Sequence, residues 1–326
     1  MAGVIKGARQ ALVAAHYLPD GDAIGSTVAL ALALEQMGLE VTAVNHDPVP
    51  RMYSFIPGME RIKRPQDVAA VPGLVILLDC SDMERPGRDL KERIQESGAI
   101  VVNLDHHISN TGFGDLSWVD PGAAATGELV YSLIREMGVE ITPAIATALY
   151  TALATDTGSF RFANTTPAAH AIAAELIAHG VDVVRASLHL WEEKELVALR
   201  VLGAVLPTLE LAAGGQIAWM YVDLATFTAL GARSEHCEGL ADYPRSIIGV
   251  EAGMFFREVE PGVVKVGMRS KTYLDVNELA ACFGGGGHQR AAGCTVRGEL
   301  QAVIRRVVGR AVEMLCQATG EKWTGS

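Results

Sequence analysis

Cysteine is scarce and unpaired: the five in 326 residues, Cys80, Cys237, Cys282, Cys294 and Cys316, form no C-x-x-C and are odd in number. That argues against a disulfide framework and for a reduced, cytoplasmic protein. Cys80 reads as a buried small residue on the far face of its strand. No apolar run reaches the roughly 20 residues a membrane helix needs. Residues 1–15 lack the basic, then apolar, then small-residue order of a signal peptide. Positive charge is also short. A net charge of −11 argues against a long double-stranded nucleic-acid footprint, which requires a basic surface, but leaves short anionic substrates open.

What is present is a soluble-protein composition, 49% hydrophobic and 20% charged, in a chain long enough for two domains. The first half alternates short apolar runs with segments of helical spacing. Strands are expected at 10–15, 40–44, 74–78 and 100–104, and helices at 23–37, 126–137 and 143–155. This rhythm predicts an α/β fold whose N-terminal domain is a doubly wound parallel sheet. Residues 167–211 read as helical. Beyond 215, strands at 217–222, 247–256 and 263–268 and helices at 274–283 and 299–319 predict a second, smaller α/β domain with a mixed sheet. The expected division is 1–190, a helical linker at 191–214, and 215–326.

The chemistry gathers where the apolar runs stop. Asp105-His106-His107 follows the run Ile100-Val101-Val102-Asn103-Leu104, and Asp79 closes Val75-Ile76-Leu77-Leu78. His16-Tyr17-Leu18-Pro19-Asp20-Gly21-Asp22 follows the first strand, and Asp156 ends a helical segment, where the dipole disfavours a carboxylate unless a cation compensates. Strand ends of a parallel sheet share one edge, so these groups can meet there. Gathered carboxylates repel one another, and divalent cations are the simplest compensation. Oxygen donors with a minority of imidazole suit Mn²⁺ or Mg²⁺. Gly25 and Ser26 read as opening a helix whose N–H groups favour an anion. Asp82 reads as the cap of whatever follows Asp79.

In this order the motifs resemble the DHH phosphoesterase family, over the whole chain. The run Gly284-Gly285-Gly286-Gly287-His288-Gln289-Arg290-Ala291-Ala292-Gly293 is similar to the signature of the DHH-associated C-terminal domain. The length resembles the oligoribonuclease (nanoRNase) and adenosine-3′,5′-bisphosphate phosphatase branch. The resemblance implies two Mn²⁺ ions, with Mg²⁺ or Co²⁺ as substitutes. It implies that His16, Asp20 and Asp79 hold one ion and Asp22, Asp79, His106 and Asp156 the other. Asp105 would then orient the neighbouring imidazole and His107 would contact phosphate. Arg269, Gly285, Gly286, Gly287, His288 and Arg290 would bind substrate, the glycines by leaving backbone N–H groups unobstructed.

The implied activity is metal-assisted phosphoester hydrolysis of very short RNA, with nucleoside bisphosphates as further substrates. The alternative enzymatic reading is cleavage of cyclic dinucleotides or their linear products. A non-catalytic nucleotide sensor predicts loss of a ligand, and none is missing. A dinucleotide oxidoreductase needs G-x-G-x-x-G where this chain has Pro-Asp-Gly-Asp. Expected partners are short RNA or nucleotide bisphosphates and, as an assembly open to the chain, a homodimer; membranes and long duplexes are not expected.

Overall fold

The computed structural model describes residues 1–320, which form two compact units, Met1–Glu193 and Lys194 onward. The first is built on a five-stranded, wholly parallel sheet of order β2-β1-β3-β4-β5. In chain order its elements are α1 (Ala2–Gly7), β1 (Gln10–Ala14), α2 (Gly21–Gln36), β2 (Glu40–Val44), β3 (Leu74–Leu78), α3 (Arg88–Ser97), β4 (Ile100–Asp105), β5 (Leu116–Val119), α4 (Thr126–Met137), α5 (Pro143–Asp156), α6 (Pro167–Ala178) and α7 (Val183–Ser187). β3 is buried at every position, as a central parallel strand covered on both faces must be. α2 and α5 are mostly Ala, Leu, Thr and Gly, and their small side chains let the two helices pack closely over the sheet. The opposite face is covered by α3, with Leu90 and Ile94 against Leu12, Val75, Leu77 and Cys80.

The second unit holds α8 (Leu196–Val205), β6 (Glu210–Ala212), β7 (Ile217–Val222), α9 (Leu224–Ala229), α10 (Asp242–Ser246), β8 (Ala252–Glu260), β9 (Val263–Ser270), α11 (Val276–Ala281), β10 (Gly286–His288), β11 (Ala291–Arg297) and α12 (Leu300–Thr319). Its six-stranded sheet runs β10-β11-β9-β8-β7-β6, parallel only between β7 and β8. α12 lays Val303, Ile304, Val307, Ala311 and Leu315 on one face, and α8 lays Val201 and Val205 on the other.

Two expectations require correction. The strand expected at 247–256 begins only at Ala252, because Gly249 takes a left-handed φ of +86° and turns the chain. The helical stretch expected to reach 211 ends earlier, since 210–212 pairs with β7 as an edge strand. Within the glycine run, Gly286–His288 pairs with β11 as a short edge strand. Among the described residues, no helix is long and apolar enough to cross a membrane.

Candidate metal centre

The C-terminal ends of β1, β3 and β4 bring the first-unit candidates to one sheet edge. His16 follows β1 and is buried; its Nδ1 lies 2.8 Å from the Tyr17 carbonyl oxygen. A carbonyl only accepts, so Nδ1 carries the proton and Nε2 is the ligating atom. That nitrogen stands 3.2 Å from Asp79 Oδ2 and 3.7 Å from Asp20 Oδ1. Pinning the second ring nitrogen in this way is the arrangement metal-binding imidazoles use.

Asp79 sits one residue past β3 with φ +56°, a left-handed conformation that is costly for a non-glycine residue. Its N–H donates to the Leu104 carbonyl at 2.9 Å, and its Oδ1 accepts the Thr126 hydroxyl at 3.0 Å. Backbone and side chain are thus both held from other elements. His106, just past β4, repeats the His16 pattern. Its Nδ1 faces the Ala123 carbonyl at 3.3 Å, and its Nε2 lies 3.5 Å from Asp156 Oδ2, 3.6 Å from Asp79 Oδ1 and 3.9 Å from Asp22 Oδ2.

Asp22 and Asp20 differ in role although two residues apart. Asp20 caps α2, accepting the Ala23 N–H at 3.0 Å. Asp22 lies in the first turn and reaches the N-terminus of α4, accepting the N–H groups of Thr126 (2.6 Å) and Gly127 (2.9 Å) as well as the Ser26 hydroxyl (2.9 Å). α2 starts at Gly21, so Gly25 and Ser26 lie in its interior and do not open a helix for an anion as expected. The helix N-terminus that receives the Asp22 carboxylate is that of α4. Asp82 does not cap a helix as expected: it accepts the Glu84 N–H at 2.8 Å in a turn, and α3, the next helix, has Gly87 at its N-cap.

Asp105 is fully buried, and a ligand atom of it lies within 4.8 Å of those of Asp79 and His107. Its Oδ1 takes the His106 N–H at 2.9 Å and His107 Nδ1 at 2.6 Å, and its Oδ2 takes Asn110 Nδ2 at 2.6 Å. Asn110 also bonds Asn103 Oδ1 and the Cys80 carbonyl, tying this network into β4.

Charges this close disturb one another. Burial, then the neighbouring carboxylates, push Asp22 and Asp156 well above the usual Asp range. Burial acts the same way on Asp79, but its three histidine neighbours overcome it and hold the carboxyl low. His16 is raised against its burial by Asp20 and Asp79, and His107, likewise opposed by burial, is raised to about 9 by Asp105 and Asp79. Ligand atoms of His16, Asp20 and Asp79 all lie within 4.8 Å of one another, and so do those of Asp22, Asp79 and His106. Asp79 belongs to both groups. Carboxylate oxygens, Nε2 atoms with Nδ1 already committed, and an excess of buried negative charge fit hard divalent cations.

A second cluster, Glu195, Glu235 and His236, is different. His236 Nδ1 accepts the Arg233 N–H at 2.9 Å, so the proton is on Nε2, and the Arg233 guanidinium lies against both glutamates. One cation already lies against both carboxylates, and the Nδ1 lone pair of the imidazole is taken.

In the second unit Arg269 pairs across the ladders with Gly253 and Ala291, and its Nε is 3.9 Å from Asp242 Oδ1. The N–H groups of Gly284, Gly285 and Gly287 bond Ala281, Ala280 and the Asn277 side chain. They are therefore not the unobstructed donors expected. Two of the glycines are demanded by space: a Cβ on Gly285 would lie 2.2 Å from the Gly293 oxygen, and one on Gly287 2.5 Å from the Ala291 oxygen. Arg290 donates from Nη1 to the Leu274 carbonyl at 2.9 Å. His288 lies exposed on β10.

Sequence reading missed Thr126, Gly127, Asn103 and Asn110. A Thr-Gly opening a helix, an asparagine within β4 and another in the loop after it carry no chemical signal until the fold sets them against Asp22, Asp79 and Asp105.

Residues 10–153 match the profile of the DHH family N-terminal domain and residues 215–320 that of the DHHA1 domain. The bifunctional oligoribonuclease and PAP phosphatase NrnA of Thermus thermophilus is 36% identical, with 94% of this chain and 90% of that protein aligned. Its namesake from Bacillus subtilis is 30% identical over 86% and 87%. Among solved structures, an exopolyphosphatase-related protein from Bacteroides fragilis superimposes with a TM-score of 0.90 at 25% identity, covering 97% of this chain and 95% of that one.

Proposed function

Since the chain belongs to the DHH family of phosphoesterases, we propose that it is a metal-dependent hydrolase of very short oligoribonucleotides that also removes a phosphate from nucleoside 3′,5′-bisphosphates. The observation that carries this reading is the convergence of Asp22, Asp79 and Asp156 on the Nε2 atoms of His16 and His106, both with Nδ1 held by a carbonyl. The relatives named for both activities, aligned over most of their length, support the substrate class.

Metal dependence is a property of the family. In this chain His16, Asp20 and Asp79 would hold one ion and Asp22, Asp79, His106 and Asp156 a second, with Mn²⁺ the metal these donors favour. Bound there, such ions stabilise charge on phosphoryl oxygens and lower the pKa of a water. The protein's own part is positional. Thr126 and the Leu104 carbonyl fix Asp79, and the α4 N-terminus fixes Asp22. In the metal-free protein His107, with Nδ1 on Asp105, is raised against its burial to about 9. In its protonated form this ring donates a hydrogen bond to phosphate and can release a proton to the leaving oxygen.

The DHH unit is read as catalytic and the DHHA1 unit as the source of nucleotide recognition, through Arg269, His288 and the fold of the glycine run. The net charge of −11 favours substrates of a few nucleotides over long duplexes. The five cysteines, all free, suit a reducing compartment such as the cytoplasm.

The test is purified protein with Mn²⁺ against labelled RNAs of two to twenty-four nucleotides, bisphosphoadenosine, linear and cyclic dinucleotides, and pyrophosphate. Turnover should be highest on the shortest RNAs and the bisphosphate, and should vanish in Asp79→Ala and His106→Ala. Preference for pyrophosphate, or near-normal turnover in either variant, would overturn the proposal.

A further inference from the structure

Glu251 is a buried carboxylate, 4% exposed, that stands immediately before β8 and takes no part in the chemistry described above. A loop is wrapped around it. Its Oε1 accepts the backbone N–H groups of Thr272 (3.0 Å), Tyr273 (2.8 Å) and Leu274 (2.9 Å), and its Oε2 accepts the Thr272 hydroxyl at 2.7 Å. Three successive N–H groups aimed at one oxygen form the kind of concavity that proteins use to hold anions. Here the anion is internal. The backbone of Glu251 adds to the anchorage, donating to the Gln216 carbonyl at 2.7 Å and accepting the Lys271 N–H at 2.9 Å.

The loop so held, residues 271–275, joins β9, which ends just past Arg269, to α11. Its far side carries the recognition run. The Leu274 carbonyl accepts Arg290 Nη1 at 2.9 Å, and the Val276 N–H donates to the Gln289 carbonyl at 3.0 Å. Asp275 caps α11, whose Asn277 accepts the Gly287 N–H at 2.9 Å. The Ser270 N–H closes the circuit on the Arg290 carbonyl at 3.1 Å. An unbroken chain of hydrogen bonds therefore runs from the Glu251 carboxylate to Arg290 and to Gly287-His288. The 271–275 loop itself is not held by secondary structure, and its five residues would otherwise sample many conformers at a cost of about 1–2 kcal/mol each to fix.

We propose that Glu251 is a positioning residue for nucleotide recognition: its carboxylate orders the 271–275 loop and, through it, the placement of Arg290 and the Gly287-His288 strand. This rests on the reading of the second unit as the recognition element. Charge is essential to it. Burial alone would raise the Glu251 pKa, yet the donors from Leu274, Thr272 and Tyr273 bring it below the ordinary glutamate value. A neutral amide of the same shape accepts on one atom only and turns an N–H₂ toward the Thr272 N–H and hydroxyl.

The experiment compares wild type, Glu251→Gln and Thr272→Val for KM and kcat on a dinucleotide RNA with Mn²⁺, together with amide hydrogen exchange by peptide. Glu251→Gln is expected to raise KM about tenfold, the loss of roughly one charge-assisted hydrogen bond. Its kcat at saturation should stay within about twofold, since the proposed chemistry is in the first unit. Exchange should quicken in 271–290 and not in α12. Thr272→Val removes one bond while keeping all three N–H donors, so its KM should rise in the same direction by less. An unchanged KM in Glu251→Gln, a fall in kcat without a rise in KM, or loss of protection throughout the second unit would overturn the inference. Wild type inactive on every short RNA and bisphosphate would instead overturn the functional reading beneath it.

Discussion

Asp22 accepts the backbone N–H of Gly127 at 2.9 Å, across 105 positions of sequence. The bond joins the first turn of α2 to the first turn of α4 and sets a carboxylate against the positive end of a helix, where a lone buried charge is best tolerated. Glycine at 127 is what permits it. A Cβ there would lie 2.6 Å from the Ala152 Cβ and 3.5 Å from Asp22 Oδ1. The metal-facing carboxylate is thus placed by helix packing as much as by its own backbone.

Gly25→Ala and Gly127→Ala should therefore cost activity although neither residue carries chemistry. At Gly25 the added methyl would sit 2.3 Å from the Ala148 carbonyl oxygen, a backbone atom that moves only if α5 moves. α5 carries Asp156 at its end. Each variant should lose about 1–3 kcal/mol of stability in denaturant melts, and Mn²⁺-supported turnover should fall further than folding alone explains. Wild-type turnover in the folded fraction would show that the α2–α5 spacing does not set the site.

His236→Ala should leave bound metal unchanged. The Glu195, Glu235 and His236 cluster looks like a ligand set by residue type, yet the imidazole proton is on the wrong nitrogen and Arg233 already occupies both glutamates. Metal content by elemental analysis after Mn²⁺ loading and desalting should match wild type. A loss of one ion per chain would place a metal there.

How much of this was legible before the fold was known depended on the kind of signal. The strand ends at 14, 78 and 105 are marked by buried apolar runs giving way to His16, Asp79 and Asp105, a contrast that needs no tertiary information. The helix at 126–137 declares itself by its spacing and by Gly138, which takes the left-handed cap with φ +74°. The stretch 247–251 misleads because Ile247, Ile248 and Val250 look like strand. Ile248 is in fact 98% exposed at a turn. The pairing of Gly286–His288 with β11 was invisible, since glycine has no side chain to alternate and the register is fixed by a partner strand. Thr126 and Glu251 were missed for a related reason: each acts on atoms 20 or more positions away.

Asp105→Asn should uncouple His107. In metal-free protein the imidazole is raised to about 9: burial opposes this, while the Asp105 hydrogen bond and the charges of Asp79 and Asp105 produce it. A histidine raised on folding stabilises fully below its unfolded pKa of about 6.5 and loses that contribution as pH climbs through about 9. The substitution should lower the midpoint of the His107 proton resonances by a unit or more. Its destabilisation should be largest near pH 6 and shrink toward pH 9.5. An unmoved midpoint would mean that Asp105 does not set the charge on this ring.

Removing and restoring metal should give a stability difference whose pH dependence has a definite sign. In the metal-free state Asp22 and Asp156 titrate above their unfolded value, burial being the first cause and neighbouring carboxylates the second. Carboxyls raised on folding bind more protons in the native state, so they cost stability as pH rises from about 4 through their folded values. His16 and His107, also raised, lose their contributions over a higher window but with the same sign. Asp79 and Asp20, held low, change stability only at acid pH. The chelator-treated protein should therefore weaken between pH 6 and 9. Metal binding runs the other way, because ligands must shed protons and affinity rises with pH. At a hundredfold excess over Kd, one site contributes about 2.7 kcal/mol, which for a unit of this size is roughly 5–10 °C in Tm. The rise in Tm on adding Mn²⁺ to chelator-stripped protein should thus be small at pH 6 and reach that range by pH 8.5. In Asp79→Ala, which strikes both ligand groups, it should nearly disappear. A metal-induced shift independent of pH, or one that survives in Asp79→Ala, would separate the ion from this cluster.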